Sequence, residues 1–165
     1  MQNILNSLKE ILEEENLTYQ ELLGSSKEKK RILLESRKPD ELAALVAREE
    51  ELVERLREKE EERVELLGEL ALKWQVKGNG LNLDKVVELA PIDFKGEFER
   101  IGKELKGAIG QIQRINRTNT RLIRASLVTI NHILRTVLRE EKNNVYQKKG
   151  EWQKGGKALL LDKKV

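Results

Sequence analysis

The residue types that carry catalytic or metal chemistry are scarce in this 165-residue chain, which has one histidine and no cysteine. The histidine, His132, lies among apolar residues in a segment with helical spacing, whereas a zinc site needs several His or Cys ligands. No glycine-rich turn follows a strand-like segment, as phosphate-binding loops require. The carboxylates are numerous but do not converge on an apolar pocket. We therefore expect a binding protein without catalytic residues, cofactor or metal.

The residues best suited to binding chemistry are two amides, Asn116 and Asn119, on the apolar side of one long segment. Apolar residues recur at steps of three, four and seven from Ile101 to Leu138, which predicts an amphipathic helix. Two interpretations stay open for these amides and the nearby Ser126. They either fix the register between packed helices, as a polar core residue does in coiled coils, or line a groove that binds the backbone of a partner.

Residues that typically begin or end helices predict the elements that position this helix. Pro39 suits a first helical position, Asn82 suits an N-cap, and Pro91 should end the helix before it. The apolar repeat of the first helix weakens between Gly24 and Arg31, where this helix could be interrupted. The charged run from Arg57 to Arg63 predicts a solvent-exposed face held by ion pairs one turn apart. The predicted helices span about 3–36, 40–76, 83–90 and 93–140.

The helical period is lost after residue 142, in a stretch rich in turn-forming residues. This segment nevertheless carries Tyr146, Trp152 and three consecutive leucines, which a disordered tail usually lacks. We predict a tail at 143–165 that either folds back or is disordered, or else becomes ordered when a partner binds.

The predicted fold is all-α. It is an elongated antiparallel helical bundle or coiled coil of three long helices, with a short connecting helix and a non-helical C-terminal tail. Charged residues make up 37% of the chain and aromatic residues only 4%, a composition typical of long helices. The bundle should occupy residues 1–142 and the tail residues 143–165. No run approaches about 18 apolar residues, so we expect neither a signal peptide nor a membrane span, and a cytoplasmic location.

The charge of the chain is unevenly distributed. Residues 1–76 hold 13 basic and 19 acidic residues, whereas the remainder holds 19 basic and 10 acidic residues. Acidic and basic helices packed in one bundle would explain this, and so would a basic face that binds nucleic acid. The arginines available for such a face are Arg114, Arg117, Arg121, Arg124, Arg135 and Arg139.

The order of these parts resembles the FlgN family of flagellar export chaperones over nearly the whole chain. An opening helix and an acidic helix are followed by a connector from Leu81 to Pro91. The segment that carries most of the resemblance reads Asn116-x-x-Asn119-x-x-Leu122-Ile123-x-x-Ser126-Leu127-x-x-Ile130. The tail, with Tyr146, Gly150 and Leu160-Leu161-Asp162, is similar to tails in the Gram-positive-type branch. The arginines around Arg117 depart from the family pattern.

The resemblance implies a cytoplasmic chaperone that is not an enzyme. It would bind the hook–filament junction proteins FlgK and FlgL, protect their helical termini, and deliver them to the flagellar export apparatus. Client binding in the family belongs to the C-terminal region, and the matching positions here are Val137, Tyr146, Trp152, Leu159, Leu160 and Leu161. Two alternatives remain: a helical nucleic-acid-binding protein that uses the arginines, and a self-associating coiled-coil adaptor such as a homodimer.

Overall fold

A computed structural model describes residues 1–35, 39–76 and 81–161, with side chains described as far as residue 136. These residues form four helices and no strand: α1 (Gln2–Glu35), α2 (Pro39–Lys73), α3 (Leu83–Leu89) and α4 (Ile92–Leu161). The predicted all-α class, with three long helices and one short connecting helix, is confirmed. Helix α1 is continuous through Gly24, so the interruption considered from the sequence does not occur.

Helix α2 ends at Lys73, before the predicted end at residue 76. The reason is Gln75, whose φ of 55° is left-handed and stops the helix. The amide of Val76 then donates to the carbonyl of Ala71 at 2.9 Å, and the amide of Gln75 donates to that of Leu72 at 3.3 Å. These two bonds satisfy carbonyls that the end of a helix otherwise leaves without partners.

Helix α3 begins at the predicted residue 83 and ends at Leu89, one residue before the predicted end at 90. The Asn82 side chain accepts a hydrogen bond from the Lys85 amide at 2.9 Å, which makes Asn82 the N-cap. Ala90 has an extended backbone (φ −65°, ψ 147°), as expected for the residue before Pro91. This short helix therefore turns the chain between α2 and α4.

Helix α4 continues beyond its predicted end. The backbone of residues 143–161 is helical, so the prediction of a non-helical segment was wrong for these residues. The glycines and asparagines here count against a helix, but Lys, Glu, Gln, Ala and Leu are good helix formers. No proline follows Pro91 to interrupt the hydrogen-bond ladder.

The chain divides into two compact units, Met1–Thr120 and Arg121–Val165, and the division falls inside α4. Helix α4 contributes residues to both units. The predicted division into a bundle and a tail near residue 142 stays a prediction.

Interhelical contacts define the helix directions in the unit Met1–Thr120. Helix α1 runs antiparallel to α2, since Glu14 pairs with Lys59 at 2.8 Å while Lys29 pairs with Glu49. Helix α1 runs parallel to α4, as two further contacts show: Glu13 to Arg100 at 3.2 Å, and Ser26 to Asn119 at 3.1 Å. In this unit α2 and α4 therefore run in opposite directions, as the sequence predicted.

The hydrophobic core of this unit collects residues from all four helices. Phe98 of α4 is fully buried, and its ring stacks on Phe94 at a centroid distance of 6.1 Å. Val86 brings α3 into the same cluster. The other buried members are Leu5, Leu8, Leu12, Leu70, Ile101 and Leu105.

Candidate partner-binding surface

Residues 121–136 of α4 expose large apolar side chains on one helical face. We call Ile123, Leu127, Ile130 and Leu134 the apolar stripe; their exposed fractions are 39%, 53%, 51% and 53%. The steps of four, three and four residues place these side chains above one another along the helix. Single exposed apolar residues are ordinary, but an ordered row of them is typical of an interaction surface.

The arginines near the stripe have no carboxylate partner among the side chains described up to residue 136. From Leu105 to Arg139 the chain contains seven basic residues and no carboxylate. Among the described side chains, no ion pair involves the arginines at positions 114, 117, 121, 124 or 135. Elsewhere on α4 the situation differs, because Arg100 pairs with Glu13 and with Glu104. The segment around the stripe is therefore positively charged without internal compensation.

The structure places the two candidate amides differently. Asn119 is 3% exposed, and its Nδ2 donates to the Ser26 carbonyl of α1 at 3.1 Å. Asn116 is at the surface. Only Asn119 is thus in a position to influence the register of α4 against α1, and this role stays a prediction.

Ser126, the third polar candidate, is exposed and bonded within its own helix. Its hydroxyl donates to the Leu122 carbonyl at 3.0 Å. Thr129 and Thr136 do the same to the carbonyls four residues before them. Bonds of this kind use the hydroxyl hydrogen locally. These three hydroxyls therefore have no hydrogen left to donate to a partner.

The six residues that the sequence singled out for client binding are in the C-terminal part of the chain. Their backbone belongs to α4. Their side chains lie outside the described ones, so their assignment stays a prediction. They are Val137, Tyr146, Trp152, Leu159, Leu160 and Leu161.

The charged run of α2 is not wholly a solvent-exposed face, which corrects the prediction. Arg63 turns toward α1 and donates from Nε to Glu15 at 3.0 Å, while it also pairs with Glu60. Lys59 reaches Glu14 in the same way. Burial raises the pKa of Glu15, although the charge and hydrogen bond of Arg63 act in the opposite direction. These contacts connect α1 to α2.

A small groove lies between α3 and α4. It encloses about 300 Å³, with Phe98, Leu83 and Val87 contributing its apolar part. Gly102 permits the close approach, since a Cβ at this position would lie 3.1 Å from Leu83 Cδ2. The rim combines basic and acidic residues, including a 2.7 Å pair of Lys106 with Asp84. With cations and carboxylates mixed around it, the groove favours no particular ligand.

A profile of the FlgN protein family matches residues 1–154 of the chain. The chain belongs to the FlgN family. No curated protein and no solved structure matches the chain closely enough to count as similar. The match extends through both compact units and confirms the family that the order of segments indicated.

FlgN proteins are flagellar export chaperones, and chaperones of this family are not enzymes. In the described part of this FlgN-family chain, no helix combines the length and apolar character needed to span a bilayer. Within the described side chains, the exposed apolar stripe and the arginines without carboxylate partners are thus the features best suited to binding a partner.

Sequence reasoning missed most of this surface. Ile123, Leu127 and Ile130 were noted as part of the segment that carries the family resemblance, but neither they nor Leu134 were singled out for binding. The signal that could have located the surface is the 35-residue stretch without a carboxylate, Leu105 to Arg139. A helix that is solvent-exposed all around its circumference usually carries both signs of charge.

Proposed function

We propose that this FlgN-family chain binds the hook–filament junction proteins FlgK and FlgL in the cytoplasm before their secretion. It would cover their helical terminal segments and deliver them to the flagellar export apparatus. The observation that carries the proposal is the family match over residues 1–154.

The exposed stripe supports a chaperone that handles helical segments. Helix-in-groove recognition uses apolar anchors at steps of three, four and seven residues, which is the spacing of Ile123, Leu127 and Ile130. Clients must be released for export, so moderate affinity suits the function. Any ordering of chain segments on binding lowers the net affinity and favours release.

The proposal is tested by co-expressing the full-length chain with tagged FlgK or FlgL from the same genome. We expect a soluble stoichiometric complex with at least one of them on size-exclusion chromatography. A tagged helical protein unrelated to flagella serves as the control. If neither junction protein retains the chain, the proposed clients are wrong.

The predicted client residues of the C-terminal segment are tested in the same assay. The double substitution Trp152→Ser and Leu160→Ser should reduce capture of the client at least tenfold and leave the helical circular dichroism in place. Gln153→Ser is the matched control from the same segment. Unchanged capture by the double variant would refute the role of these residues while leaving the chaperone function intact.

One observation favours a second candidate function, namely the exposed arginines of α4 that have no carboxylate partner in the part of the chain whose side chains are described. Phosphate contacts would make nucleic-acid affinity fall steeply with salt. Gel shifts with duplex and single-stranded probes at physiological ionic strength examine this. The absence of a shift would eliminate nucleic-acid binding.

A further inference from the structure

We infer that the apolar stripe, Ile123, Leu127, Ile130 and Leu134, is a docking surface for an amphipathic helix whose polar side chains are mainly acidic. The inference rests on the proposed function only for the source of the helix, which would be a terminal segment of a client.

The stripe suits a helix better than an extended peptide. The hydroxyl of Ser126, beside the stripe, already donates to a carbonyl of α4. The α4 backbone is bonded within its own helix and offers no sheet edge. An extended peptide would therefore leave its backbone polar groups without partners. A helix satisfies its own backbone and needs only apolar contact.

The dimensions of the stripe also match a helix. From Ile123 to Leu134 there are eleven residue steps, about 16 Å at a rise of about 1.5 Å per residue, or three turns. The repeat of the stripe is the one that packs against helices in the unit Met1–Thr120, where Leu105 and Ile112 of α4 are each 7% exposed. The same repeat that makes interhelical core there is left exposed in residues 121–136.

Charge determines which helix fits. Residues 121–165 carry 11 basic and 4 acidic residues, so the field around the stripe is positive. Arg124 lies three residues from Leu127, at one edge of the stripe, and has no carboxylate partner among the described side chains. A second copy that presented its own stripe would bring like charges together. An acidic helix would instead be attracted and oriented by the field.

The experiment uses the full-length chain and two synthetic 18-residue amphipathic peptides with identical leucine positions. One peptide has glutamate and the other lysine at its remaining exposed positions. We expect fluorescence anisotropy to show at least tenfold tighter binding of the glutamate peptide at about 0.1 M salt. The preference should shrink at about 1 M salt, because the Debye length falls from about 10 Å to about 3 Å.

Matched variants separate the stripe from the rest of the helix. Leu127→Gln combined with Ile130→Gln should weaken binding of the glutamate peptide at least tenfold. Val128→Gln changes a residue that is 70% exposed but off the stripe, and it should leave binding unchanged. Arg121→Gln combined with Arg124→Gln should reduce the preference between the peptides. Circular dichroism verifies that each variant retains its helix.

Several results would overturn the inference. Equal binding of the two peptides would refute the preference for an acidic helix. Equal losses of peptide affinity in the Val128 variant and the Leu127/Ile130 variant would show that binding does not depend on the stripe. Binding to vesicles with about 30% anionic lipid, or to duplex RNA, without binding to either peptide would assign the segment to a membrane surface or nucleic acid. Self-association that the Leu127/Ile130 variant abolishes would assign the stripe to a second copy.

The inference and the proposed function can fail separately. If the Leu127/Ile130 variant captures FlgK or FlgL as well as the unaltered chain does, the stripe is not the docking surface, while the chaperone function stands. If the glutamate peptide binds through the stripe but neither junction protein does, the surface stands and the named clients are wrong.

Discussion

Helix α4 has different surroundings before and after Thr120, although its apolar repeat is the same. Before Thr120, Leu105 and Ile112 are each 7% exposed. After Thr120, Leu127 and Ile130 are 53% and 51% exposed. The charges differ in parallel, since Arg100 has two carboxylate partners, whereas the arginines at 121 and 124 have none among the described side chains.

The difference shows that an apolar repeat specifies a need for a neighbour and not which neighbour satisfies it. In the first region α1 supplies that neighbour from within the chain. In residues 121–136 the same pattern remains at the surface and becomes available for binding. Most of the stability of a helix in a protein comes from packing of its apolar face, so a partner that covers the stripe would also stabilise this part of α4.

The strongest test of this comparison removes the same atoms from each region. Leu8→Ala, at a fully buried position, should lower the free energy of unfolding by about 2–5 kcal/mol, because it removes apolar contacts and leaves a cavity. Leu127→Ala should change it by no more than about 0.5 kcal/mol. Urea unfolding followed by circular dichroism measures both. Similar losses in the two variants would mean that Leu127 is packed in solution and would break the comparison.

A smaller effect separates the two amides, because Asn119 is buried and Asn116 is exposed. Asn119→Ala removes the hydrogen bond to the Ser26 carbonyl and should cost about 1 kcal/mol. Asn116→Ala, at an exposed site, should cost much less. Urea midpoints of the two variants give the comparison. Equal midpoints would show that Asn119 contributes nothing to the packing of α1 on α4.

The smallest effect concerns the buried carboxylate between α1 and α2. Because burial raises the pKa of Glu15, the folded chain binds this proton more readily than the unfolded chain does. That contribution to stability is fully present below the unfolded pKa and is lost as the pH rises through the higher folded pKa. Glu15→Gln should therefore stabilise the chain at neutral pH by at most about 1 kcal/mol, and by less in acid.

Thermal melts at pH 4 and pH 7 provide the measurement for Glu15→Gln. Glu14→Gln is the matched control, since this neighbour pairs with Lys59 at the surface and its side chain is 56% exposed. A Glu15→Gln variant that is clearly less stable at pH 7 than the unaltered chain would show that the Arg63 pair outweighs the cost of burial. The buried ion pair of Glu15 with Arg63, in the region before Thr120, would then stabilise the fold.

Local features of the chain were predictable because local chemistry controls them. The cap at Asn82 and the extended Ala90 before Pro91 follow from side-chain hydrogen bonding and from the proline ring. The helical backbone of residues 143–161 was missed because turn-forming residues were given more weight than the helix formers among them. The early end of α2 depends on a left-handed glutamine, for which the sequence carries no strong signal.

The candidate surface was only partly predictable. Periodicity identified the apolar side of α4, and the order of segments identified the family. Periodicity could not show that Asn119 would be buried and Asn116 exposed, since both residues lie on the apolar side of the helix. The sequence also predicted that Arg63 lies on a solvent-exposed face. Ion pairs one turn apart can be recognised in the sequence, whereas the pair of Arg63 with Glu15 on another helix cannot.

By itself the sequence determined the helical class, the number of long helices and the start of α3, all of which depend on residues a few positions apart. It also determined membership of the FlgN family. Only the tertiary structure decided which stretches of one apolar repeat are buried and which are exposed. That decision depends on where α1 lies against α4, a relation between residues about 90 positions apart. Periodicity along a single helix contains no information about it.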